Sequence, residues 1–359
     1  MEFVGRLRVS MKTGRRMTLV LDTTSASLAR AAECLRDGGL VAFPTETVYG
    51  LGVHALDAAA VRRLFAAKGR PANDPLIVHV SSFEKVTDLV TDDIAVTPYK
   101  KLAAQFWPGP LTLVLPRSSR VPDEVTAGLP TVGIRVPAHP VARALLEAAG
   151  IPVAAPSANL FSRPSPTRAE HVLHDLEGRI DMVIDGGPTN VGVESTVLDL
   201  TGDTPTVLRP GAVTIDMLRE LLPNVRMRAE GMHEGALPSP GLLAKHYSPK
   251  APLTLYEGPR AVERLAGVVT EALVRGQEVG VLVPHEYAER FSGIGVRVAD
   301  LGPSSDVAGM ATRLYAALRE LDHEDVDAIF ALSIDVNEGL GAALRDRLRR
   351  AAAGRIIHT

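Results

Sequence analysis

Between Glu230 and Pro252 the run EGMHEGALPSPGLLAKHYSPKAP has neither the two-residue alternation of a strand nor the helical spacing of three and four residues. Gly and Pro break it repeatedly, so 229–252 reads as a linker, long enough to reach across a domain face and to cover a site there. The chain is thereby divided into two blocks. Before the linker, short apolar runs ended by Pro or Gly stand at 40–43, 76–80, 111–115, 131–136, 151–155, 182–184 and 195–198. Helical patterns at 28–36, 58–68, 96–106, 141–149 and 168–176 lie between several of them, which predicts an α/β domain over 18–228. After the linker, strands at 253–256, 279–283 and 328–332 interleave with helices at 262–274, 310–321 and 340–352, predicting a smaller Rossmann-like βαβ domain over 253–359. Residues 1–17 are basic but lead into no apolar run with a cleavage site, so they read as a loose tail and no secretory signal is expected.

Composition removes several classes. Of 359 residues, 46% are hydrophobic and 23% charged, too apolar for a disordered chain. Lys and Arg number 39 against 42 Asp and Glu, a net charge of −3, so only a local patch could contact nucleic acid. Cys34 is the sole cysteine, which excludes an intrachain disulfide or a thiolate metal cluster and suits a reducing, cytoplasmic setting. No run approaches the roughly 18 apolar residues of a membrane span.

Two strands carry ionisable residues among apolar neighbours. In LIVHV, Ile77 and His79 share a face; in TVGIRVP, Thr131, Gly133 and Arg135 do. An arginine on a buried strand needs an anion, either a ligand carboxylate or an internal Asp or Glu, and His79 alone reads equally as a structural histidine. Lys68 closes a helix, Gly69 is placed to end it in the left-handed conformation, and Arg70-Pro71 turns the chain. That pair of cations suits phosphate or compensates the helix terminus. Ser157, Asn159 and Ser165 follow the strand of IPVAAPSAN, where open α/β sheets gather ligands and where turns also need such residues. Ser195 and Arg209 invite the same two readings. His171 and His174 form an i,i+3 pair expected on the surface, and no Walker loop, dinucleotide fingerprint, HExxH or GxSxG is present.

The motifs PTETVYGLG (44–52), KGRPANDPLIVHV (68–80), FWPGPLTLVL (106–115), GIRVP and APSAN resemble the YrdC-like family of threonylcarbamoyl-AMP synthases. The spaced pairs Lys68/Arg70 and Ser157/Asn159 are that family's hallmark, and SPGLLAKHYSP with the second block is similar to its long, two-domain form. The resemblance implies a YrdC-like twisted sheet with flanking helices. It implies formation of threonylcarbamoyl-AMP and pyrophosphate from L-threonine, bicarbonate and ATP, toward tRNA modification at position 37. Mg2+ would accompany ATP, and no tightly bound organic cofactor is expected. Partners would be the downstream tRNA threonylcarbamoyl-transfer machinery, with at most weak direct tRNA contact and no membrane. By the same resemblance, Thr47, His79, Arg135, Ala155 and Ser195 would bind L-threonine. Lys68, Arg70, Asp74, Thr131, Ser157, Asn159, Ser165, Arg209 and Tyr247 would bind ATP, with Lys68 and Arg70 catalytic. The competing readings are an RNA-binding module without turnover and a carbamoyl-transfer domain acting on carbamoyl phosphate.

Overall fold

The computed structural model describes residues 17–91, 96–229, 237, 239–243, 245–323, 325–334, 336 and 338–359. The expected tail, apart from Met17, and part of the linker lie outside these residues. In the first block the strands are β1 (Leu19–Leu21), β2 (Val41–Pro44), β3 (Tyr49–His54), β4 (Ile77–His79), β5 (Leu111–Pro116) and β6 (Thr131–Arg135), then β7 (Val153–Ala154), β8 (Met182–Ile184), β9 (Thr196–Asp199), β10 (Thr206–Arg209) and β11 (Arg226–Met227). They form one mixed sheet in the order β1-β8-β2-β3-β7-β4-β6-β5-β9-β10-β11.

Helices bury apolar stripes on both faces. Ala31, Leu35, Leu145 and Leu146, from the helices Ser25–Arg36 and Pro140–Ala149, pack against Val41, Phe43 and Val153. On the other face, Val61, Leu64, Leu102 and Val172 cover Leu51, Val78, Leu113 and Ile134. β3 was not expected as a strand, because Gly50 and Gly52 weaken its pattern. A Cβ on Gly52 would lie 2.8 Å from the Phe43 ring and 2.9 Å from Val153, so close strand approach requires glycine there.

The second block forms β12 (Leu253–Glu257), β13 (Val279–Val283), β14 (Arg297–Asp300), β15 (Ala328–Leu332) and β16 (Ile356–His358). All pair in parallel, in the order β14-β13-β15-β12-β16, and β14 and β16 add to the strands expected. As a parallel sheet needs, helices supply residues to both of its cores, Leu265 and Val269 to one, Leu314 and Leu344 to the other.

The helices Val307–His323 and Gly339–Ala352 also meet the first domain. Val48 enters the core that holds Tyr247, Leu314 and Tyr315. Arg319 pairs with Asp175 at 2.7 Å, both almost fully buried, and Arg163 pairs with Asp322. Gly192, at φ +79°, lies so close that a Cβ would stand 2.3 Å from the Thr312 Cα. His171 corrects its surface assignment, being half-buried, whereas His174 is exposed as expected, its ring centroid 4.3 Å from that of His323 across this seam.

Candidate active site

Parallel pairing of β4 with β6 sets His79 opposite Arg135 and Ile77 opposite Gly133, so the two polar side chains leave the sheet side by side at its carboxyl end. Arg135 has an internal partner: its Nη2 lies 2.7 Å from Glu46 Oε1, while Nη1 donates to Thr47 Oγ1 at 3.0 Å and Nε to the Gly109 carbonyl at 3.2 Å. Burial would raise the Glu46 carboxyl, but Arg135 outweighs it and holds the group below the ordinary range. Burial, with Arg135 adding, pushes His79 down to about 3, so the imidazole is neutral near pH 7.

The helix Ala58–Lys68 ends on Gly69 at φ 65°, ψ 29°, the left-handed stop its sequence predicts. Arg70 then enters the site, held by Asp74 at 2.9 Å and by donation to the Pro75 carbonyl at 2.9 Å. Lys68 turns the other way. Its ammonium, 2% exposed at the residue level, donates to the carbonyls of Ser157 and Asn159. Burial, with Arg70 adding, drives its pKa well below the usual lysine range. Across the site Arg209 donates to the Ser195 carbonyl from Nε at 3.2 Å and Nη2 at 3.0 Å, and to the Pro240 carbonyl from Nη1 at 3.1 Å. Ser195 Oγ also shares a 2.8 Å hydrogen bond with Thr112 Oγ1.

These groups line a pocket, partly open to solvent, with about 530 Å³ of empty space, whose wall includes Thr47, Arg70, His79, Arg135, Ala155, Ser157, Ser195, Arg209 and Tyr247. Linker residues Pro240, Gly241, His246 and Tyr247 close one side. Tyr247 is 1% exposed at φ 59°, and its hydroxyl has no hydrogen-bond partner among the described residues. Gly241 makes room for it, since a Cβ there would stand 2.5 Å from that oxygen.

Five expected ATP contacts do not reach this wall. Lys68 and Asp74 stand behind it, the first clamping a loop and the second orienting Arg70. The Asn159 amide donates to the carbonyls of Leu160 at 2.6 Å and Arg163 at 3.1 Å, shaping its own turn. Thr131 lines an adjoining cavity of about 290 Å³ that shares Ile77 and Pro240 with the first. Ser165, fully buried, commits its proton to Glu194 Oε1 at 2.5 Å, so toward a ligand it presents only lone pairs.

Glu194, among the described residues the one carboxylate on the wall, was missed by sequence reasoning, as were Thr45 and His246. Burial would raise its carboxyl, but Arg347 and Arg209, with hydrogen bonds from Ser165 and Arg347, bring it down to about 2. Its partner Arg347 lies 153 residues away, and no local pattern could announce the pair. Among the described residues, no three His, Cys, Asp or Glu side chains come together as a metal site, and no helix is long and apolar enough to cross a membrane.

Three arginines around a neutral histidine, hydroxyls and a linker tyrosine define a two-domain α/β protein with a recessed site suited to anionic ligands. The family described as telomere recombination (Sua5, YciO and YrdC) matches residues 33–211, and threonylcarbamoyl-AMP synthase, C-terminal domain, matches 213–353. The threonylcarbamoyl-AMP synthase of Bacillus subtilis is 44% identical over 352 residues, covering 97% of this chain and 100% of its own. A Mycobacterium tuberculosis relative is 38% identical over 198 residues, 90% of its length and 55% of this chain. The crystal structure of Pyrococcus abyssi Sua5 complexed with L-threonine superposes with TM-score 0.89 at 41% identity, covering 95% of this chain and 100% of that one. The chain belongs to the threonylcarbamoyl-AMP synthase family, in its form with both the YrdC-like domain and the Sua5 C-terminal domain.

Proposed function

We propose that the chain is a nucleotidyltransferase that makes threonylcarbamoyl-AMP and pyrophosphate from L-threonine, bicarbonate and ATP, acting in the cytoplasm ahead of the tRNA threonylcarbamoyl-transfer machinery. The observation that carries this reading is the cavity itself, which joins an Arg135–Thr47–His79 corner to an Arg70–Arg209–Ser157 wall under Tyr247. A guanidinium beside a hydroxyl and a neutral imidazole suits an amino acid with a carboxylate and a β-hydroxyl, and rejects apolar isosteres. Ala155 and Ser195 complete that corner. Threonine's amine attacks bicarbonate carbon and water leaves, giving a carbamate. A carbamate oxygen then attacks the α-phosphorus of ATP, and the bond to pyrophosphate breaks.

Mg2+ enters with ATP as part of that substrate. Arg70 and Arg209 offset phosphate charge, with Asp74 holding Arg70 in place. Lys68 acts through the Ser157–Asn159 backbone, Thr131 through the adjoining cavity and Ser165 through the hydrogen bond it donates to Glu194. Positioning carries the rate, since no nucleophilic side chain is required. The test is pyrophosphate release from ATP by the purified protein, omitting L-threonine and bicarbonate in turn and substituting serine for threonine in parallel. Release that needs both supports the reading. Release without threonine, or none from folded protein with Mg2+ present, overturns it.

A further inference from the structure

The cavity that collects three arginines also holds one carboxylate on its wall, Glu194. An uncompensated carboxylate there would repel a polyphosphate. Arg209 and Ser165 of its own domain compensate it in part, and its ion-pair partner comes from the other domain. Arg347 Nε donates to Glu194 Oε2 at 2.8 Å, and the Tyr315 hydroxyl donates to Oε2 at 2.9 Å. Both donors are fully buried. Arg347 is itself fixed, by donation to the Pro210 carbonyl at 3.0 Å and by an ion pair with Asp346 at 2.6 Å. Its guanidinium carbon lies 5.4 Å from the centroid of Tyr247, whose ring stands 5.5 Å from Tyr315. The C-terminal domain thus touches the site at two points, the Glu194 carboxylate and the linker tyrosine. The Mycobacterium tuberculosis relative, matched over 198 residues, is too short for both domains, so the second domain's contribution must be read from what it touches.

We propose that Arg347, assisted by Tyr315, is a positioning residue for the nucleotide: it holds and neutralises Glu194, making the C-terminal domain an electrostatic part of the ATP site. This rests on the synthase reading. Arg347 touches no substrate; it acts by cancelling a charge that would otherwise face the phosphates. The claim differs from simple domain docking, which the Arg319–Asp175 and Arg163–Asp322 pairs also serve.

The experiment measures ATP and L-threonine affinity by titration calorimetry on the full chain, with pyrophosphate release alongside. Wild-type protein that binds no ATP would fail the synthase reading itself, separately from this inference. Arg347→Met should weaken ATP binding at least tenfold and leave L-threonine binding within threefold. Adding Glu194→Gln should restore ATP affinity to within threefold of wild type, because the charge needing compensation is gone. Arg163→Met, which deletes a docking pair away from the site, should leave ATP affinity unchanged. An R347M protein with wild-type ATP affinity overturns the proposal, and so does an E194Q/R347M protein as weak as R347M, which would assign the loss to docking. Should R347M not fold, the double variant decides alone: wild-type affinity supports the proposal and a tenfold loss overturns it.

Discussion

Replacing Lys68 by Met separates two ways in which this lysine could matter. Its ammonium is buried and donates to two backbone carbonyls of the loop that carries Ser157. Each hydrogen bond from a charged donor contributes about 1.5–3 kcal/mol net, so the pair stabilises the fold by about 3–6 kcal/mol. Methionine fills most of the volume and removes the cost of burying an amine, which returns part of that. The expected net loss is about 2–4 kcal/mol, a large fraction of a typical stability of about 5–15 kcal/mol. Urea unfolding followed by circular dichroism measures the loss, and steady-state pyrophosphate release measures the rate. The clamp predicts that stability and activity fall together, with the KM for ATP rising as the Ser157 backbone relaxes. A K68M protein with its unfolding free energy within 0.5 kcal/mol of wild type (about the noise of additivity) and activity down by orders of magnitude would refute the clamp. It would place Lys68 on the phosphates directly.

Gly192→Ala should destabilise the protein by about 2–5 kcal/mol, combining left-handed backbone strain with overpacking against the Thr312 backbone. An unchanged urea midpoint would remove that contact from the account of domain docking. Acid should unfold the protein early, because His79 and His246 are both held near 3, far below an unfolded histidine near 6.5. Below 6.5 the unfolded chain takes up a proton on each of these rings and a third on His171, likewise held near 3, all of which the fold refuses until about pH 3. Stability should therefore fall as pH drops through that window, by about 1.4 kcal/mol per pH unit for each ring. Glu194, at about 2, adds a loss as pH falls from about 4.5 to 2. Urea midpoints at pH 7, 5.5 and 4.5 measure the slope, and a flat profile would mean that these imidazoles are solvated.

The α/β alternation and the division at the linker were legible because strand and helix periods differ and Pro and Gly punctuate them. The shared face of Ile77 with His79, and of Gly133 with Arg135, followed from alternation alone, and parallel pairing then placed the two polar residues opposite each other. The left-handed stop at Gly69 was legible for a local reason as well. What stayed hidden depends on partners distant in sequence. Lys68 lies on the inward helical stripe, yet only the packed loop shows that its charge is spent on carbonyls. The Arg135 partner is Glu46, which sits inside a motif where nothing marks it as an ion-pair partner. β3 was obscured by glycines that the sheet requires for close approach, and His171 is half-buried at the seam, where Arg319 of the second domain donates to its carbonyl.

The Glu194–Arg347 pair has a consequence for the order in which the protein is made. At about 5–20 residues per second, the ribosome needs roughly 8–30 s to travel from the carboxylate to its counter-ion. Through that interval a nascent first domain can close its sheet around the cavity while the wall carboxylate still lacks its ion-pair partner, with only Ser165 and Arg209 to offset it. On the proposal above, ATP would be admitted late, when little more than the last strand remains to be added, and a chain cut between Tyr247 and Arg347 would carry every wall residue without the counter-ion that readies the site for its nucleotide.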